Sequence, residues 1–189
     1  MDVPARVQEA TRAAAEAGFS LSCDHGLGRL LGVLAAAVKQ EGSILELGTG
    51  AGVGVAWIVA GLGARTDVRV VSVELDPDLA VLAAKSDWPD FVQLEAGDAL
   101  DVLQRPGRWD LIFADAPGGK WDGLDDTIAA LEPGGILLVD DMRPSEFTDA
   151  RHRAKTIEVR EQLLTDTRLA AVEIGWSTGI ILGARRSTG

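Results

Sequence analysis

Residues 44–52 read Ile-Leu-Glu-Leu-Gly-Thr-Gly-Ala-Gly, an apolar run that gives way to glycines at alternate positions, Gly48, Gly50 and Gly52. The segment Ser43 to Leu47 is too short and too apolar for anything but a buried strand, and Val53 to Leu62 resumes as a helix. The glycines fill the turn between them. Without side chains they permit positive φ and let a ligand approach the backbone, at the carboxyl edge where open α/β sheets bind nucleosides. A dinucleotide fingerprint places its third glycine at the sixth position, which is Val53 counted from Gly48 and Val55 counted from Gly50. That pattern fails, whereas Glu-x-Gly-x-Gly-x-Gly is complete in Glu46, Gly48, Gly50 and Gly52, with Thr49 inside the turn and Gly54 just beyond it.

Twenty residues past Gly54 stands Glu74, at the end of a second strand candidate, Val68 to Val73. An acid there can accept from both ribose hydroxyls of any adenosine cofactor. Asp76 can cap the next helix with Pro77 at its first position, which leaves Glu74 and the neighbouring Leu75 for a ligand. A third strand, Phe91 to Glu95, leads to Gly97-Asp98-Ala99, where Asp98 either accepts from an adenine amino group or caps the following helix.

Strands are expected near 44–47, 69–74, 91–95, 110–115 and 135–140, with helices near 53–62, 77–86, 98–104 and 122–131 between them. Two helices precede them, Pro4 to Ala17 and Gly26 to Lys39, and a long one, Phe147 to Leu164, follows. Leu169 to Ile174 and Ile180 to Ala184 then read as two strands joined by a tight loop, an ending unlike the sixth parallel strand of a dinucleotide fold.

No linker or repeat divides the 189 residues, so a single domain over 1–189 is expected, with the helices of 1–40 packed near the cofactor site. One cysteine, Cys23, excludes an internal disulfide. The amphipathic start of the chain and the lack of any long apolar run give the expectation of a cytoplasmic protein that does not enter membranes. The net charge of −11 would repel nucleic acid phosphates and directs attention to small molecules.

The glycine motif resembles the first motif of class I S-adenosylmethionine-dependent methyltransferases. Asp110-Leu-Ile-Phe-Ala-Asp115-Ala, followed by Leu131-Glu-Pro-Gly-Gly-Ile-Leu-Leu-Val-Asp140-Asp141-Met, narrows the resemblance to the catechol and caffeoyl-CoA O-methyltransferase family, and it covers nearly the whole chain. The resemblance implies an α/β fold, a Rossmann-like, doubly wound, seven-stranded, mostly parallel sheet with an antiparallel C-terminal hairpin strand. It also implies S-adenosylmethionine held by Glu46, Gly48, Thr49, Gly50, Gly52, Gly54, Glu74, Leu75, Gly97, Asp98, Ala99 and Asp115, and pairing as a homodimer. In the family an Asp ending strand four and an Asp-Asn pair ending strand five hold a divalent metal. Asp115, Asp140 and Asp141 match those positions, with Asp141 in place of Asn.

Independently of the family, those three carboxylates end two strands at the edge that carries the glycine turn, and hard oxygen donors suit magnesium. Alternatively Asp140 and Asp141 cap the following loop while Asp115 serves the cofactor pocket. The family's catalytic Lys lies two or three residues past the strand-four Asp, whereas Lys120 comes later, after Pro117-Gly118-Gly119. Either that turn brings Lys120 back as a base for a phenolic proton or it is a surface lysine. Trp121 reads as an aromatic wall or as a core anchor. Val53-Gly54 stand where the family often has Tyr and a carboxylate-binding Ser, a role that helix N-terminal amides can fill. Ser22, Asp24 and His25 are candidates for the methionine end of the pocket or for helix capping. Arg143, Arg151, His152, Arg153 and Lys155 form a basic group on the acceptor side, either attracting an anionic acceptor or lining a solvated helix.

The reading that joins these features is an S-adenosylmethionine-dependent O-methyltransferase acting on a small-molecule hydroxyl, catechol-like or phenolic and Mg-assisted, with Asp115 and Lys120 as catalytic residues. Its alternatives are a metal-independent O- or N-methyltransferase and a binding module without turnover.

Overall fold

The structure is a computed structural model that describes residues 2–187. Seven strands form one sheet: β1 (Ser43–Leu47), β2 (Arg69–Glu74), β3 (Val92–Ala96), β4 (Trp109–Ala114), β5 (Leu131–Val139), β6 (Leu169–Ile174) and β7 (Ile180–Arg185). Their order is β3-β2-β1-β4-β5-β7-β6. β1 to β5 run parallel, and β7 enters antiparallel to both β5 and β6. The expected doubly wound sheet with its reversed C-terminal hairpin is therefore present, and its strand order reverses at β1, the position that opens a crevice at the carboxyl edge.

Residues alternate across the central strands, as the pleat requires. Leu45 and Leu47 of β1, with Ile112, Ala114 and Leu137, join one core against α5 (Ala99–Leu103), α6 (Leu124–Ala129) and α7 (Ala150–Thr165). Ile44, Leu111, Phe113 and Leu138 face the opposite core, formed with α1 (Ala5–Glu16), α2 (His25–Ala37) and α3 (Val53–Leu62). The remaining helix, α4 (Pro77–Ala83), begins at Asp76, whose carboxylate accepts from the amides of Asp78 and Leu79.

Some boundaries move for local reasons. α7 begins at Ala150 rather than Phe147, because Pro144–Glu146 forms a 3-10 turn and Asp149 caps the helix by accepting from the His152 amide. α6 is shorter than expected and starts after Gly123, at φ 80°. β5 starts at Leu131, several residues early, with its register to β4 shifting between Trp109 and Leu111. No helix among the described residues is long and apolar enough to cross a membrane.

Candidate active site

The carboxyl ends of β1, β2 and β4 frame a cavity of about 500 Å³. Of the residues expected to hold the nucleoside, all line it except Gly52, where an added Cβ would meet the Trp88 ring at 2.9 Å. The turn after β1 is built for close approach. Gly48 has φ 100°, and a Cβ there would lie 3.0 Å from the Ala116 Cβ and 3.1 Å from the Asp115 carbonyl oxygen. Gly50, at φ 53°, donates its amide to Glu74 Oε2 at 2.7 Å, while the Asp76 amide donates to Oε1 at 2.9 Å. Two backbone donors thus fix the Glu74 carboxylate at the cavity wall, and each oxygen retains acceptor capacity. Asp98 caps α5 through the Leu100 amide and lines the cavity as well.

The segment before α2 closes one side. Phe19, Leu21, Ser22 and Cys23 line the cavity, a contribution of Phe19, Leu21 and Cys23 that motif spacing does not reveal. The Ser22 hydroxyl is buried without a hydrogen-bond partner. Asp24 is the α2 cap, accepting from the Gly26 and Leu27 amides, and His25 packs edge-on to Trp57, outside this cavity.

Glu46 lies in the middle of the sheet, 1% exposed. The β1–β2 register sets Ser72 directly beside it, and the Ser72 hydroxyl donates to Glu46 Oε2 at 2.5 Å and pairs with Thr49 Oγ1 at 2.6 Å. Burial pushes the carboxyl up to about 8, opposed by the Ser72 hydrogen bond and reinforced by the charge of Glu74. Because the folded state holds this proton more tightly than the unfolded chain, the associated stability is full below about pH 4.5 and is lost as pH rises to about 8. Glu46→Gln removes that dependence. Urea denaturation of the ligand-free protein should show the variant gaining on the native chain by about 3–5 kcal/mol between pH about 5 and pH about 8.5. Parallel pH profiles would show that Glu46 is not the titrating group.

At the ends of β4 and β5 the structure brings Asp115, Lys120, Asp140 and Asp141 together. Pro117 accepts from the amides of Lys120 and Trp121, Gly119 takes φ 85°, and Thr127 Oγ1 holds the Gly119 carbonyl at 2.7 Å. This turn folds Lys120 inward until it is 2% exposed, so it is no surface lysine. Its ammonium donates to the Asp140 carbonyl oxygen and to Asp141 Oδ2, both at 3.2 Å. Asp140 Oδ1 accepts from the Thr178 hydroxyl at 2.6 Å and from the Asp141 amide at 2.7 Å. Burial raises Asp115 well above the ordinary carboxylate range, with Lys120 opposing the rise and Asp140 and Asp141 adding to it. Asp140 is raised too, first by burial.

These residues do not fit the expected magnesium ligand set. Among the described residues no three His, Cys, Asp or Glu side chains are arranged to hold a metal. Asp140 has turned one oxygen to the β6–β7 loop, and a lysine ammonium binds the group that a metal would need. Within the basic group after β5, Arg143 pairs with Glu146, Arg153 donates to the Phe147 and Thr148 carbonyls, and Lys155 pairs with Glu158. His152 stacks on Phe147 at 3.8 Å between centroids and meets Trp121 edge-on at 4.5 Å, while Trp121 packs against the core as its anchor reading requires.

Residues 45–142, just over half of the chain and spanning the glycine turn through β5, match the family described as a methyltransferase domain. The chain belongs to the methyltransferase family. A catechol O-methyltransferase of Niastella koreensis is 32% identical to this methyltransferase over 142 residues, covering 70% of this chain and 63% of the relative. The fold matches the O-methyltransferase TomG of Streptomyces achromogenes, solved with S-adenosylmethionine (SAM), with a TM-score of 0.81 at 23% identity over 98% of this chain and 92% of that one. An O-methyltransferase of Bacillus cereus, solved in complex with SAH, gives a TM-score of 0.82 at 20% identity over 98% of this chain and 93% of that one. The resemblance drawn from the motifs, to S-adenosylmethionine-dependent O-methyltransferases, is borne out at the level of family.

Proposed function

We propose that this methyltransferase moves the methyl group of S-adenosylmethionine to a hydroxyl of a small phenolic or catechol-like molecule. The observation that carries the reading is the fixed Glu74 carboxylate facing a cavity whose opposite edge holds Asp115. In this reading Glu74 takes the ribose hydroxyls, Gly97 and Asp98 flank the adenine, and the N-terminal amides of α3 receive the methionine carboxylate. The unpartnered Ser22 hydroxyl offers a further contact at the closing segment. The names of the catechol O-methyltransferase relative and of the SAM- and SAH-bound neighbours support the same donor and acceptor class.

The sulfonium is an activated donor, so alignment and removal of the acceptor proton suffice. The acceptor oxygen attacks the methyl carbon, the carbon–sulfur bond breaks with its electron pair going to sulfur, and the acceptor proton passes to the ionised form of Asp115, which the Lys120 charge favours against burial. The Lys120 ammonium is already committed as a donor to Asp140 and Asp141, which favours Asp115 over Lys120 as the proton acceptor.

Incubation with S-adenosylmethionine and catechol, 3,4-dihydroxybenzoate or caffeate, followed by mass spectrometry, tests the reading. Growth of a product heavier by one methylene, with stoichiometric S-adenosylhomocysteine, is the expected result. Cofactor binding without transfer to any hydroxyl acceptor would point instead to a binding module.

A further inference from the structure

We propose that the Lys120 ammonium is a built-in cation that occupies the electrostatic position of a divalent metal in this site. The inference rests on the methyltransferase reading and specifies what supplies the positive charge at its acceptor edge. Asp115, Asp140 and Asp141 come near one another where β4 and β5 end, and a counter-charge favours their ionised forms against burial and mutual repulsion. Lys120 supplies it from within the chain. Its side chain is 2% exposed, and its ammonium bridges the Asp140 carbonyl and Asp141 Oδ2, each at 3.2 Å.

Three observations show a built arrangement. The Pro117–Asp122 turn is closed by hydrogen bonds that the Lys120, Trp121 and Asp122 amides donate to the Pro117 carbonyl, and Thr127 pins it from α6. Asp141 takes φ 64°, a left-handed conformation, while its side chain meets the ammonium. Asp140 is turned away by Thr178 Oγ1 from the loop between β6 and β7. Lys120 is buried and is not among the residues lining the cavity, so it acts through its charge, which reaches Asp115 at the cavity edge. A positive charge there stabilises the oxyanion that forms as the hydroxyl loses its proton.

Manganese binding measured by calorimetry and by electron paramagnetic resonance, on the chelator-stripped protein loaded with S-adenosylhomocysteine, reads the proposal without activity. The native protein should bind Mn²⁺ at least about tenfold more weakly than Lys120→Ala, in which the carboxylates lose their internal cation. Lys120→Met, which keeps the buried volume, should gain Mn²⁺ affinity in the same way, and unchanged S-adenosylhomocysteine affinity certifies that each variant is folded. Tight Mn²⁺ binding by the native protein, or no gain in either folded variant, overturns the proposal. If neither variant folds, the native measurement alone decides it. Failure of S-adenosylhomocysteine to bind the native protein would instead overturn the methyltransferase reading, so the two failures are separable.

Discussion

Gly61→Ala is expected to destabilise the protein by about 2–4 kcal/mol, because a methyl group there has no room and nothing nearby can rotate away. A Cβ on Gly61 would stand 2.1 Å from the Gly32 carbonyl oxygen and 2.6 Å from the Gly32 Cα. The obstacle is backbone, where α2 and α3 lie directly on each other. In reverse, a Cβ on Gly32 would meet the Trp57 carbonyl oxygen at 3.2 Å. The better helix propensity of Ala recovers about 1 kcal/mol at most, less than the overpacking it introduces. Urea denaturation checks this, with Gly97→Ala as the control: Gly97 has open space around an added Cβ and should change stability by less than about 0.5 kcal/mol. Equal stability of Gly61→Ala and the native chain would mean that the helices separate at little cost. The effect should reach the site as well, since α3 begins at the glycine turn and its displacement moves the amides assigned to the methionine carboxylate.

The contrast between that helix contact and the glycine turn shows what the sequence made legible. Gly48, Gly50 and Glu74 could be placed from spacing, because strand ends, turn and cavity all lie at one sheet edge and the β–α alternation dictates that edge. The C-terminal hairpin was legible for a similar reason, as two β-rich runs around Gly175–Gly179 have no length for a crossover helix. Gly28 and Gly32 are four apart and Gly54 and Gly61 seven apart, spacings that share a helix face, and this was the available signal for close helix packing. Side-chain direction around β4 and β5 was not legible. Strand ends predicted that Asp115, Asp140 and Asp141 would meet, yet the orientation of Asp140 depends on Thr178, 38 residues later, and that of Lys120 on a turn held by Thr127. Both are tertiary contacts with no local signature. Counting residues made Lys120 look late, whereas the left-handed Gly119 shortens the path and turns the side chain inward.

Glu74→Ala should weaken S-adenosylhomocysteine binding by about 10²–10³-fold, since hydrogen bonds to a charged group contribute about 1.5–3 kcal/mol each and the proposed pose places two ribose hydroxyls on this carboxylate. The carboxylate does two jobs at once. It accepts from the Gly50 and Asp76 amides at 2.7 and 2.9 Å, bracing the glycine turn, and it presents its remaining lone pairs to the cavity. Calorimetry alone would register both losses together, so the ligand must be varied as well as the protein. Against the native chain, a 2′-deoxyribose analogue of S-adenosylhomocysteine should bind about tenfold more weakly than the parent, and against Glu74→Ala the two ligands should bind alike. Glu74→Gln separates the functions further. Its single carbonyl oxygen can keep one amide contact but cannot serve two amides and two hydroxyls, so an intermediate loss of about tenfold is expected. If Glu74→Ala lost affinity yet still discriminated against the deoxy analogue, the carboxylate would be a brace for the turn and the ribose would be read elsewhere. If affinity stayed within about threefold, the nucleoside would not lie against β2 at all, and the pose that orients the sulfonium toward Asp115 would fall with it.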